Sequence, residues 1–229
     1  METYVVRLWL PDRPGALGAV ASRIGAVRGD VIGIDILETD NGQAVDELVV
    51  RLPQKQLVDL LINEIEQVDG AQVEFVRAVA DAVHDPRLDG LETAAVLAGA
   101  STTASLLEAL CEHGGRALGA EWVAVLDPAT SEVGCASGPA PGGPWLAAFV
   151  AGSRAAAAAD QGGSAGVPDD VAWTPLPGSR LAMIVGRAGT PFRARERRQV
   201  AAMARIVDTR FRELTRLDAA AEPEAPRRS

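Results

Sequence analysis

The pattern of apolar and polar positions divides the chain into short periodic stretches. Tyr4, Val6, Leu8 and Leu10 share one side of a period-2 run, which predicts a first strand. Pro11 to Gly15 breaks it. Pro14-Gly15 then opens a helix whose Leu17, Val20, Ile24 and Val27 recur at spacings of three and four. Gly29-Asp30 ends that helix, and Ile32, Ile34 and Ile36 alternate with Gly33 and Asp35 in a second strand. Asp40-Asn41-Gly42 is a strong hairpin signal, because the favoured tight turn needs residues that tolerate positive φ. A third strand runs from about Gln43 to Leu52. Pro53 starts a second helix with Leu57, Leu60, Leu61 and Ile65 on its apolar side. Gly70 breaks it, and Val73, Phe75 and Arg77 mark a fourth strand. The order βαββαβ predicts an antiparallel sheet with two helices on one face. The other face is expected to be open, with Val5 and Trp9 on it, and to need a partner.

The second half is α+β in character. Leu91 to Leu118 reads as helix interrupted near Gly99-Ala100-Ser101, with Leu106, Leu107, Leu110 and Ala117 as packing positions. Trp122 to Leu126 and Val133 to Ala136 read as a hairpin about the turn Asp127-Pro128-Ala129-Thr130. Trp145 to Ala159 is an apolar, Ala-rich helix, and Gln161 to Asp170 a loop. Leu181 to Val185 reads as a buried strand that ends a stretch beginning near Trp173. Phe192 to Leu217 is a long helix with Val200, Met203, Ile206, Val207, Phe211 and Leu214 down one side. Two long helices flanking a few strands predict terminal helices packed on one sheet face.

Charge sharpens the division. Residues 1–83 hold 7 basic and 14 acidic residues, and residues 84–229 hold 15 and 17, within a chain of 229 residues and net charge −9. The expected organisation is a first domain over 1–80, a linker over 81–90, a second domain over 91–217 and a disordered tail over 218–229. The acidic balance argues against a general nucleic-acid or anionic-membrane binder. No run of about 18 apolar residues and no basic-then-apolar leader is present, so a soluble cytoplasmic protein is expected. Cys111 and Cys135 are too few and too far apart in sequence for a disulfide framework or a cysteine zinc site. Cys111 beside His113 reads mainly as a packed thiol next to a surface imidazole. No metal-ligand spacing, nucleophile elbow or paired catalytic carboxylates appear. Gly162-Gly163-Ser164-Ala165-Gly166 lacks the Lys-Ser/Thr of a phosphate-binding loop. No cofactor is expected.

The passage Val5-Val6-Arg7-Leu8-Trp9-Leu10-Pro11-Asp12-Arg13-Pro14-Gly15-Ala16-Leu17 resembles the opening of ACT domains, small regulatory modules that bind amino acids. Ile24, Gly29-Asp30-Val31 and Ile34 resemble the same family's first helix end and second strand. The resemblance covers residues 3–79 and implies a ferredoxin-like βαββαβ domain. More distantly, Ala120 to Asp127, Leu181 to Arg187, and Thr190-Pro191-Phe192 followed by Glu196 resemble a GAF domain, a sensor fold related to PAS. That implies a GAF/PAS-like α+β domain with long flanking helices. Its connecting region is short, which puts ligand binding by this half in question.

The turn carries the best candidate site. Pro14 presets φ at the helix start, Gly15 leaves room near the backbone, and the first-turn amides around Gly15, Ala16 and Leu17 can receive a carboxylate. Asp12 can receive an α-ammonium group, and Arg13 belongs to the same turn. Alternatively Pro14-Gly15 merely closes the turn and Asp12 caps the helix. Ile32, Gly33 and Ile34 are expected to line the opposite wall, unless the isoleucines are core. Gly33 suits a bulge or a close backbone approach, and Asp35 is either a further contact or a solvated residue. Residues 193–216 hold eight arginines against Glu196, Asp208 and Glu213. That cluster fits contact with an acidic domain, its own or a partner's, or a solvated helix face, better than a nucleic-acid stripe. The expected function is non-catalytic regulation, with an ACT-like domain sensing a free amino acid in a homodimer that has a possible protein partner. The alternative is a structural or protein-interaction dimer with no small-molecule ligand.

Overall fold

The computed structural model describes residues 1–79, 86–158 and 168–221. The chain forms two compact units, one comprising Met1–His84 with Arg193–Arg195 and the other Asp85–Phe192 with Glu196–Ser229.

In the first unit the elements are β1 (Glu2–Pro11), α1 (Ala16–Ala26), β2 (Asp30–Asp40), β3 (Gln43–Leu52), α2 (Val58–Glu66) and β4 (Gln72–Val79). A short 3-10 turn at Lys55–Leu57 leads into α2. The sheet is antiparallel in the order β2-β3-β1-β4, so β2 and β4 are its edges. Tyr4, Val6, Leu8 and Leu10 pack with Leu48, Val50 and Leu52 under Val20, Ile24, Leu61 and Ile65 of the two helices. This is the alternation expected when one sheet face is covered by amphipathic helices.

The other face departs from expectation, because it is not bare. Val5 and Val45 are buried. Arg7, only 2% exposed, donates to Glu47 at 2.8 Å and stacks over Phe75. Within the same unit Arg193 pairs with Glu74 at 2.7 Å and stacks over Trp9, and Arg195 pairs with Asp35 at 2.7 Å. Within the sheet the exposed large apolar side chains lie on the edge strand β2 instead, at Ile32, Ile34 and Ile36.

The second unit contains α3 (Pro86–Gly99), α4 (Thr103–Leu118), β5 (Trp122–Asp127), β6 (Glu132–Ser137), α5 (Gly143–Ala158), β7 (Val171–Leu176), β8 (Leu181–Gly186) and α6 (Ala194–Ala221). Its antiparallel sheet has the order β6-β5-β8-β7. Val123, Val125, Met183 and Val185 face Leu97, Leu106, Leu110, Val200, Met203 and Val207 of α3, α4 and α6. Trp122, Ala124, Leu126, Ala182 and Ile184 face Leu146 and Val150 of α5. The unit is thus three layers with helices on both faces. Thr102 and Ser105 cap α4 reciprocally, which explains the break after Gly99.

Three sequence expectations are corrected here. The stretch from Trp173 to Val185 is two paired strands joined by a turn at Pro177-Gly178. Helix α6 continues to Ala221, so residues 218–221 are not a disordered tail; Ala-rich sequence favours helix propagation there. Cys111 of α4 and Cys135 of β6 are joined as a disulfide, with Cα atoms 6.6 Å apart. The fold supplies the proximity that their separation in sequence conceals, and the packed-thiol reading of Cys111 beside His113 falls with it. Residues 81–85 of the expected linker, most of the 161–170 loop, the 162–166 glycine cluster and residues 222–229 of the expected tail lie outside the described residues.

Candidate functional site

The site is built where β1 gives way to α1. Gly15 is the N-cap residue and adopts φ 90°, in the left-handed region that favours glycine. A Cβ placed there would meet nothing within 4 Å. Backbone conformation, rather than crowding, therefore requires glycine, and the space beside the turn is open. No side chain caps α1. The Ala16 amide donates to Arg13 O at 3.3 Å and the Ala19 amide to Gly15 O at 2.9 Å. The amides of Leu17 and Gly18 have no acceptor among the described residues, which is the arrangement an anion can exploit. Ala16 is buried and Leu17 packs against the core, so both contribute backbone rather than side chains to the turn.

Asp12 is fixed by its own backbone. Its amide donates to Gly42 O at 2.8 Å, tying the turn to the β2–β3 hairpin. Its carboxylate is not a cap for α1. Arg13 pairs loosely with Asp69 at 3.7 Å, and its side chain is more than half exposed.

Strand β3 of the same sheet carries a buried carboxylate that the sequence pattern did not single out. Asp46 of β3 stands in register with Leu8 of β1 and Ile36 of β2. That places it on the helix-covered face, in the same parity as Leu48. Asp46 is 4% exposed, and its Oδ1 is buried without a hydrogen-bond partner. Burial, and secondarily the Asp12 carboxylate, push its pKa up from the ordinary value of 3.8. Other carboxylates with an unsatisfied buried oxygen have compensation. Asp35 and Glu74 are ion-paired to Arg195 and Arg193, and Asp89 has other partners. Asp46 has no ion pair among the described residues. The signal was present in the sequence: an acidic residue interrupts the apolar parity Ala44, Leu48, Val50, Leu52.

The remaining candidates separate by face. Ile34 and Ile36 lie opposite Leu48 and Asp46, on the site's side of the sheet, and both are exposed rather than core. Gly33 and Asp35 pair with Val49 and Glu47 on the other side. A Cβ at Gly33 would approach Val49 to 3.1 Å, and the strand is irregular between Val31 and Gly33, where Ile32 sits. Gly33 thus shapes the strand and does not line the wall with Ile34. In the second unit a shallow groove along β7 and α6 carries Thr174, Arg205, Asp208 and Arg212, but Asp208 is occupied by Arg212 at 2.6 Å and by the Gly178 amide at 2.6 Å. Among the described residues no cluster of three or more His, Cys, Asp or Glu could hold a metal ion. No described helix is long and apolar enough to cross a membrane.

No protein-family model and no curated protein matches the chain. Solved structures similar to part of it include ACT domain proteins. An ACT domain protein from Streptococcus pneumoniae is 16% identical over 34% of this chain and 89% of its own, with a TM-score of 0.29. The ACT domain from GTP pyrophosphokinase of Chlorobium tepidum is 15% identical over 34% of this chain and 100% of its own, with a TM-score of 0.28. A protein of unknown function from Galdieria sulphuraria spans 92% of this chain and 93% of its own at 15% identity and a TM-score of 0.32. The ACT likeness covers about a third of the chain, and the structure of that part is the antiparallel βαββαβ arrangement set out above.

Proposed function

We propose that the first unit senses a free amino acid at the β1–α1 turn and that the protein is a non-catalytic regulator acting as a homodimer. The observation that carries this reading is the uncapped start of α1 in the same turn that holds Asp12. The Leu17 and Gly18 amides receive the α-carboxylate, Asp12 receives the α-ammonium group, and the ligand side chain runs toward Ile34. One charge of each sign across an open turn suits a zwitterion. In this proposal the second unit is a GAF-like module that responds or assembles, and the protein works in the cytoplasm.

The test is calorimetric titration of wild type and Asp12→Ala against the twenty standard amino acids, with sedimentation in parallel. Removing a charge-assisted hydrogen bond costs about 1.5–3 kcal/mol, so affinity should fall roughly 10- to 100-fold while the dimer persists. Equal binding by both proteins would displace the ammonium from Asp12.

A second reading has its own observation. Ile32, Ile34 and Ile36 are exposed along an unpaired sheet edge, a surface suited to joining β2 of another copy. A folded dimer that binds no amino acid at millimolar concentration would favour this interaction module over the sensor.

A further inference from the structure

We propose that the groove between β7 and α6 of the second unit binds a small monocarboxylate with a compact apolar body, with Arg212 as the anchor of its carboxylate. The site is independent of the turn in the first unit. The groove holds about 330 Å3. Ligand clefts begin at about 300 Å3, so this one suits a single ring or a short branched chain. Ala201, Arg205, Asp208 and Arg212 recur at spacings of three and four on one face of α6 and form one side. Pro175 of β7 and Pro177 of the turn after it stand on the other.

Arg212 is held in place by a construction of three residues. Asp208, 4% exposed, accepts from Arg212 Nη2 at 2.6 Å on one carboxylate oxygen and from the Gly178 amide at 2.6 Å on the other. Arg212 Nε donates to the Asp208 carbonyl at 3.3 Å. A Cβ at Gly178 would stand 2.5 Å from Arg212 Cγ and 2.8 Å from its Cδ, so the turn admits the arginine stem because position 178 has no side chain. The buried carboxylate thus aims a guanidinium that stays 53% exposed, and Nη1 has no acceptor among the described residues. A guanidinium fixed in this way is preorganised for a carboxylate.

Charge and surface select the ligand. Arg205 lines the same groove two helical turns earlier, exposed and with no ion pair among the described residues. With Asp208 paired to Arg212, one positive charge is left uncompensated in a chain of net charge −9, which a single anionic group balances. The apolar wall of Pro175, Pro177, Ala201 and Ala204 favours a carboxylate with an apolar body over a hydrated phosphate. Strand β7 is a sheet edge, but Pro175 within it has no amide hydrogen to give an added strand, which disfavours a bound peptide.

The experiment titrates full-length, isotope-labelled protein with benzoate and isovalerate, with benzamide and inorganic phosphate as controls. It follows the Gly178 amide and the Arg212 Nε–Hε signal. Both acids should move the two signals saturably at millimolar concentration, and benzamide should move neither. Binding should fall at least 10-fold in Arg212→Met and in Asp208→Asn, which removes the aim but not the arginine. Arg205→Gln, a change at an exposed side chain, should weaken binding and lessen its decline with salt. Should R212M or D208N not fold, the wild-type Arg212 signal decides, because it must shift in step with Gly178 under benzoate and stay in place under benzamide. No saturable shift with either acid, equal binding of benzamide, phosphate binding as tight as benzoate, or unchanged binding in R212M or R205Q would each overturn the proposal.

Discussion

Replacing Asp46 by leucine should stabilise the unliganded protein, and the gain should grow with pH. In the folded state this carboxyl sits between Leu8 and Ile36, is 4% exposed, and has an unpaired Oδ1. An unsatisfied buried acceptor costs about 1–3 kcal/mol, and leucine replaces it with an apolar side chain of the same branching in an apolar parity. The pH dependence follows from the raised pKa. Between the ordinary value of 3.8 and the higher folded value, the folded state binds more protons than the unfolded one. Stability contributed by the protonated form is therefore fully present below 3.8 and is lost as pH rises through the folded pKa. Asp46→Leu cannot titrate, so its advantage over wild type should be smallest at pH 3 and larger at pH 7. Urea denaturation of both proteins at the two pH values, with unchanged m, measures this. A variant less stable than wild type at pH 7, or one whose advantage is the same at both, would show that Asp46 is held by a structural partner and would remove the physical ground for its unpaired charge.

Two further outcomes test the second unit. Arg187, whose side chain is 9% exposed, pairs with Glu196 at 2.7 Å, donates to the carbonyls of Gly119, Thr190 and Pro191, and lies 4.1 Å from the Phe192 ring centroid; Arg187→Met should cost about 3–5 kcal/mol in urea denaturation by stranding the buried Glu196, and a loss below about 1 kcal/mol would refute that arrangement. Cleaving Cys111–Cys135, which are separated by 24 positions, should cost about 3.5 kcal/mol by the loop-closure relation, read as a lower urea midpoint in reductant; alkylation of both thiols in the native, unreduced protein would contradict the bond.

What was legible in the sequence was what repeats. The period-2 parity of Tyr4, Val6, Leu8 and Leu10 and the three-four spacing of Leu17, Val20 and Ile24 report the same buried seam from opposite sides, so strands and helices of the first unit follow from either. The turn at Asp12 to Gly15 was visible because Pro and Gly restrict the backbone in known ways, though Gly15 is there for its φ rather than for space. What was hidden depends on register. Gly33 and Ile34 are neighbours in sequence and fall on opposite faces, so they could not share one wall. The pairing of Cys111 with Cys135 depends on α4 lying over β6, which no local pattern encodes. The α5 helix reads as largely apolar and Ala-rich, and only the sheet's second buried face, with Ala124 and Ile184, shows where it packs.

The placement of Asp46 also decides how far the first unit can be understood as a scaffold alone. A purely structural module gains nothing from an unpaired buried carboxylate or from an uncapped helix start, since leucine at one position and a capping residue at the other would stabilise it further. Elsewhere the same chain does compensate its buried charges: Arg7 has Glu47 and Phe75, Arg187 has Glu196 and three carbonyls, and Asp208 has Arg212 and the Gly178 amide. Among the described residues, the Leu17 and Gly18 amides and the Asp46 carboxylate lack partners and carry opposite charge preferences. The exposed isoleucines of β2 are suited to a second copy of the sheet edge. The proposed dimer and the proposed turn site would be separable by substitution, with Ile32 and Ile36 testing the first and Asp12 the second.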